Sequence, residues 1–470
     1  MNMRILYIGA LAIGAICIII GVLSMTLIPL SITKRIEQDE HLGYDENGTF
    51  NAMTKRWIEP KYNMKIKVWV ISVTNPEDVV NGSYPVVTEK GPYVYTEHQK
   101  KIKVKFMQND TRVLYRNRRR YVYSEEESCA NCSLLDSVMI PNLMFQARFV
   151  LVLQVASKSS PFVKNIIKSA FSRFKRETPF INATVGEVLF DGYEDPMIKW
   201  VCDKVRPLCS VANIPTRIRF LENDTVDGEY LIGTGLRSNQ ELGHVYAWNG
   251  QNETVWWSTA QARMINGTDG QLFPPSIQIY RDLPVFLGQL GRSIHMRYDK
   301  SVTYKGIPSY RFVIPSDVYD PFLPENKGFC NPEIPRYFSH DIQPDGCLPA
   351  GMFDIGHTKL GSPPIFMSGV HFYQSPAQVY QNFVGFPHPN CSDQSYIDIE
   401  PLTGVILNAL GASQINVGMI NDTFYFFQKI PSMIVPVLWL KEIINVDDDT
   451  RKELESVGRS SRMVIFKIRV

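Results

Sequence analysis

The chain has 470 residues, with 49 Lys+Arg against 47 Asp+Glu. A net charge of +2 excludes a polyelectrolyte that holds nucleic acid by bulk attraction. At 44% hydrophobic, 20% charged and 11% aromatic, the chain is not a disordered one and can fill a large core.

The apolar residues begin very unevenly. No charged side chain occurs from Ile5 to Thr33. A helix rising ~1.5 Å per residue crosses ~30 Å of hydrocarbon in about 20 residues, so this run spans a bilayer with some tilt. A cleavable signal peptide is the competing reading, but its apolar part is normally only ~7–15 residues long. The sequence therefore divides into a short cytosolic start at 1–4, a membrane anchor at 5–33 and an ectodomain at 34–470. Flanking charge barely orients the anchor: Arg4 lies on one side, and Lys34 and Arg35 on the other are diluted by Glu37, Asp39 and Glu40.

Glycosylation sequons orient it better. N-x-[ST] occurs at Asn47, Asn81, Asn109, Asn131, Asn182, Asn223, Asn252, Asn266, Asn390 and Asn421, where chance gives about three. All follow the anchor, which makes the remainder lumenal or extracellular. Cysteine use agrees. Cys17 sits within the anchor, and seven cysteines lie beyond it. Close spacing pairs Cys202 with Cys209 and Cys330 with Cys347. Cys129 and Cys132 form C-x-x-C, open to a local disulfide, long-range partners, a redox pair or half a metal site. No second C-x-x-C or His cluster completes a zinc site. Cys391 is the candidate free thiol.

Strand patterns dominate residues 34–470. Lys101-Ile102-Lys103-Val104-Lys105-Phe106 alternates strictly, as a half-buried strand should. Further strand-like runs are 66–73, 120–124, 229–232, 254–257, 310–314, 365–373 and 433–440. Turn pairs such as Asn81-Gly82, Gly91-Pro92 and Pro274-Pro275 separate them. No linker or repeat divides the chain, so one large, mostly antiparallel β domain is expected.

One region departs from this. Residues 141–156 are apolar and read as helix. Ser160-Pro161 then offers an N-cap followed by proline at the first helical position. Phe162, Ile166, Ala170 and Phe174 repeat at helical spacing, while Lys164, Lys168 and Arg173 take polar positions and Lys175 and Arg176 follow. From Lys158 to Arg176 the charge is +6 with no acid. This is either a solvated helix face or a surface for anionic partners, a membrane included.

No nucleophile elbow, H-E-x-x-H, phosphate loop or complete G-x-G-x-x-G is present, so the chain reads as a non-enzyme without cofactor or metal. His371 reads as a hydrogen-bonded strand histidine. Arg116-Asn-Arg-Arg119 has the form of a furin-type cleavage site, but residues 118–123 read better as a strand with a charged outer face.

Together the motifs resemble the class B scavenger receptor family, which includes fatty-acid translocase and a lysosomal integral membrane protein. The segments are Val73-Thr-Asn-Pro-Glu-Asp-Val-Val-Asn-Gly82, Glu89-Lys-Gly-Pro-Tyr-Val-Tyr95, Arg119-Arg-Tyr-Val-Tyr-Ser124 and Gly192-Tyr-Glu-Asp-Pro196. Ile265-Asn-Gly-Thr-Asp-Gly270, Phe273-Pro-Pro275, His371-Phe-Tyr373, Tyr396-Ile-Asp-Ile-Glu-Pro-Leu-Thr-Gly404 and Ile434-Val-Pro-Val-Leu-Trp-Leu440 follow in the family's order. The resemblance implies an α+β ectodomain: a β-barrel-like body with an internal lipid tunnel and an apical helical bundle, here about 141–177. It implies that lipids, fatty acids, lipoproteins or anionic phospholipid surfaces dock on apical basic residues, with Lys175 and Arg176 best matching the family's basic pair. A guanidinium or ammonium with no internal acid suits phosphate or carboxylate.

The sequence departs from the family in two ways. Of three common ectodomain disulfides only Cys330–Cys347 keeps its cysteines; the other four positions fall on Ala262, Gly328, Gly291 and Thr358. The family also has a second membrane helix near its end, and nothing before Val470 is long enough to be one. The favoured reading is a lipid receptor of the plasma membrane or of a lysosomal membrane. Alternatives are a lysosomal receptor with a soluble hydrolase as lumenal cargo, a chemosensory co-receptor for hydrophobic ligands, and an ecto-enzyme.

Overall fold

The computed structural model describes residues 40–147, 179–195, 199, 217–359, 362–421 and 429–455, together with 14, 17, 18 and 21. The body is built from strands β1 Asn63–Val73, β2 Val87–Met107, β3 Arg112–Ser124, β4 Ser137–Pro141, β5 Phe180–Thr184, β6 Tyr193–Glu194, β7 Arg217–Ile218, β8 Thr225–Gly233 and β9 Val245–Trp248. The second half adds β10 Leu283–Leu287, β11 Arg292–Tyr304, β12 Ile307–Val313, β13 Met352–Asp354, β14 Ile365–Ser368, β15 Tyr396–Ile399, β16 Ile406–Met419 and β17 Met433–Asn445. Thirteen of these form one sheet in the order β10-β11-β12-β15-β16-β17-β1-β2-β3-β8-β9, with β14 joined to β16 and β13 to β14. Every pairing between these strands is antiparallel.

The sheet curls until its two ends nearly meet. Gly267 and Thr268 stitch them together: Val245 donates its N–H to the Gly267 carbonyl at 2.8 Å, Thr268 to Pro284 at 3.1 Å, and Phe286 to Thr268 at 2.8 Å. Only glycine fits this seam. Gly267 has φ +85°, and a Cβ there would lie 1.9 Å from the Pro284 oxygen. The result is a barrel-like body with few helices among the described residues.

The near-continuous apolar runs of β1 and β17 follow from burial on both faces. Ile66, Val68 and Val70 share one core with Tyr93, Tyr95, Val437 and Leu438. Ile71 and Val73 share another with Val370, Phe372, Ile434 and Val435. Trp69 and Trp439 are register partners whose rings stack at 3.8 Å and 7°. A Cβ on Gly91 would come within 2.8 Å of that Trp69 ring, so the close approach of β2 needs glycine.

Most expected strands lie inside observed ones, and three details differ. Residues 254–257 form no strand, and Trp257 anchors a loop instead. There the Trp257 indole donates to the Gly291 carbonyl at 2.6 Å and its ring meets Phe329 edge-on. The 365–373 run leaves the sheet after Ser368 and turns through Val370–Phe372, with His371 at φ +53°. His371 is hydrogen-bonded as expected, to Glu89 at 2.9 Å, but from this turn rather than from a strand. Pro141, taken as the start of a helix, closes β4. The helical residues 143–147 begin only after Asn142, whose side chain accepts from the Phe145 N–H. The rest of the expected apical helices, and most of the anchor, lie outside the described residues. Among the described residues no helix is long and apolar enough to cross a membrane.

Candidate functional site

The barrel wall formed by β2 and β3 turns an unusual face inward. In an antiparallel pair, alternate residues share a face. Here Tyr95 pairs with Tyr123, Glu97 with Tyr121, Gln99 with Arg119 and Lys101 with Asn117. Glu97, Lys101 and Asn117 are buried, and the Arg119 side chain is 22% exposed. The outward residues Arg118 and Arg120 are exposed. Residues 118–123 are therefore a strand with a charged outer face, and Arg119 lies on its inner side.

A bulge explains Lys101. Strict alternation over 101–106 would leave Lys101, Lys103 and Lys105 on one solvated face. The register slips between Ile102 and Lys105, with Lys103 in the left-handed region at φ +53°. Lys103 and Lys105 stay outside, while Lys101 turns in, reaches the Gln271 side chain and lies 5.6 Å from the Trp57 ring centre.

These groups form one charged network. Arg119 lies 3.3 Å from an Asp227 oxygen and 3.7 Å from Glu97 Oε1. Gln99 donates to the same Glu97 oxygen at 2.7 Å. Burial, and then the nearby Glu442 charge, push the Glu97 carboxyl up to about 7, although Arg119 pulls the other way. Burial likewise raises Asp227 and lowers the Lys101 ammonium to about 8, the latter partly offset by Asp269. Burial opposes the charge on Arg119, and Glu97, Glu442 and Asp227 more than restore it. Tyr115 donates to Asp269 and stacks on Tyr230 at 5.6 Å. The Tyr95 hydroxyl, Glu97 Oε2 and Asn117 Oδ1 have no hydrogen-bond partner among the described residues. Three such atoms on one inner wall make it a surface for water or for the polar end of a guest.

Sequence reasoning missed this wall. The available signal was the two-residue step that carries the buried face from Tyr93 and Tyr95 to Glu97.

The anticipated basic residues Lys164, Lys168, Arg173, Lys175 and Arg176, and the pair Cys202 and Cys209, lie outside the described residues. Cys330 and Cys347 are joined. Cys129 and Cys132 are joined too, which settles the C-x-x-C as a local disulfide, and Cys391 is free and exposed. The positions of the two missing family bridges do face each other: a Cβ on Gly328 would lie 2.7 Å from that of Ala262, and one on Gly291 would lie 3.3 Å from Thr358 Cγ2. Nine of the sequon asparagines, Asn47, Asn81, Asn109, Asn131, Asn182, Asn223, Asn252, Asn266 and Asn390, are exposed, and Asn421 is half-buried.

Known proteins are similar to this sequence over most of its length. Lysosome membrane protein 2 of Rattus norvegicus is 30% identical over 455 residues, covering 94% of this chain and 89% of the relative. The Homo sapiens form is 31% identical with the same coverage. Scavenger receptor class B member 1 of Rattus norvegicus is 28% identical, covering 92% of this chain and 80% of the relative. The CD36 family model matches residues 12–467, so the chain belongs to the CD36 family.

Proposed function

We propose that the chain is a membrane-anchored scavenger-type receptor. It binds lipid, lipoprotein or anionic phospholipid at the basic segment 158–176 and passes lipid through the barrel toward the membrane. The observation that carries this is a family match over residues 12–467, together with a sheet that closes on itself around an interior. Relatives named as a scavenger receptor and as a lysosome membrane protein support a membrane location, at the cell surface or on lysosomes. In this reading the ten sequons carry glycans on the non-cytosolic side.

Binding of full-length protein to anionic vesicles at fixed salt tests the basic segment. Each surface Lys or Arg contributes about 1 kcal/mol to attraction by an anionic leaflet. Reversing Lys175 and Arg176 to Glu should weaken binding by about tenfold or more. Unchanged affinity would remove the assignment of these residues. A second reading, a lysosomal receptor with a soluble hydrolase as cargo, is favoured by the likeness to lysosome membrane protein 2. Co-purification of a lumenal hydrolase separates it from the first.

A further inference from the structure

Another buried cation lies away from the β2–β3 wall, at the start of β11. Arg292 is 7% exposed. Its guanidinium is sandwiched between aromatic rings, 3.6 Å from the centre of Phe329 and 4.7 Å from that of Phe353. Nη2 donates to the Val318 carbonyl at 2.8 Å and to the Asn326 side chain at 3.3 Å. Nε is buried and has no partner. Those two bonds are the only ones the side chain makes among the described residues, and neither goes to a carboxylate.

A buried charge normally sits against an opposite one, because rings and neutral carbonyls compensate only part of its lost hydration. Arg292 borders a cavity of about 40 Å³, closed on another side by the Cys330–Cys347 disulfide. At 10–15 Å³ per water, this has room for about three waters. Tyr319 also lines the cavity, and burial keeps its phenol protonated and able to donate. Two aspartates line it as well, but both carboxylates are engaged elsewhere. Asp320 accepts from the Phe322 N–H; Asp354 accepts from the His357 N–H and the Asn331 side chain.

We propose that this cavity binds a small monovalent anion, a halide or a carboxylate no larger than formate, which supplies the counter-charge Arg292 lacks. No residue of the β2–β3 wall lines this cavity, and the proposal stands whether or not the receptor reading holds.

The test uses full-length protein in detergent at constant ionic strength, with gluconate exchanged for bromide or formate. A saturable rise in the unfolding midpoint of about 2 °C is expected with either small anion and none with gluconate. The rise should vanish in Arg292→Gln and in the cavity-filling Leu348→Phe. Equal midpoints in all three salts, or a rise that persists in either variant, would overturn the proposal. Should neither variant fold, crystals of the unaltered protein soaked in bromide decide the matter. An anomalous peak beside Arg292 supports the site, and its absence there removes it.

Discussion

A carboxyl group buried beside another carboxylate binds its proton more tightly than the same group in the unfolded chain. Glu97 is such a group, raised to about 7 from an ordinary 4.5. Arg119, Tyr121, Glu442, Gln99 and Lys101 surround it. Through this group the folded protein binds more protons than the unfolded one between pH 7 and 4.5, so the contribution of Glu97 to stability rises as pH falls. At 1.36 kcal/mol per unit the gain is at most roughly 3 kcal/mol. On going from pH 7.5 to pH 5 the unfolding midpoint of the unaltered protein should gain relative to that of Glu97→Gln. The same pH response in both proteins would contradict the assignment. Arg311 and Asp398 behave differently: two parallel bonds of 2.7 Å join them, and the Asp398 side chain is 2% exposed. Arg311→Met strands that carboxylate and should destabilise the protein by about 3–5 kcal/mol in denaturant titration. Joint replacement with Asp398→Leu should cost less. Neither group was legible in the sequence, because Glu97 looks like any solvated acid until the sheet around it closes.

At the scale of elements, hydrophobic pattern located the strands and missed their irregularities. The alternation over 101–106 is real, yet the bulge at Lys103 reverses which face Lys101 joins. Trp257 of the 254–257 run serves a loop, since one tryptophan can anchor a turn as well as a strand. Two details carry the stability of the framework. Gly267→Ala pushes a methyl into the Pro284 carbonyl at the barrel seam and should cost about 3 kcal/mol or more, with faster amide exchange at Val245 and Phe286. The disulfide between Cys330 and Cys347 closes a span of 17 residues, so reducing it should cost about 3 kcal/mol by the chain-entropy account. Restoring the absent bridges is not a simple reversal. A Cβ on Gly328 would meet the Thr259 hydroxyl at 2.1 Å, and one on Gly291, with φ +58°, would press on the Trp256 ring at 2.9 Å.

For the whole molecule, near-neutral composition concealed where the charges sit. Acids and bases meet inside the barrel, where Glu97, Arg119 and Asp227 form a polar wall within a mostly apolar body. Resemblance over nearly the full chain made the architecture legible, because motifs such as Ile265-Asn-Gly-Thr-Asp-Gly270 hold the residues that seal the sheet. The interior was not legible, since an apolar core and an apolar passage draw on the same residues. The central claim is that this interior serves lipid. Native mass spectrometry of full-length protein released from detergent tests it most directly. The account predicts retained lipid, released when bulky residues obstruct the barrel. Protein that is repeatedly free of lipid, and that takes up none when vesicles are supplied, would contradict it.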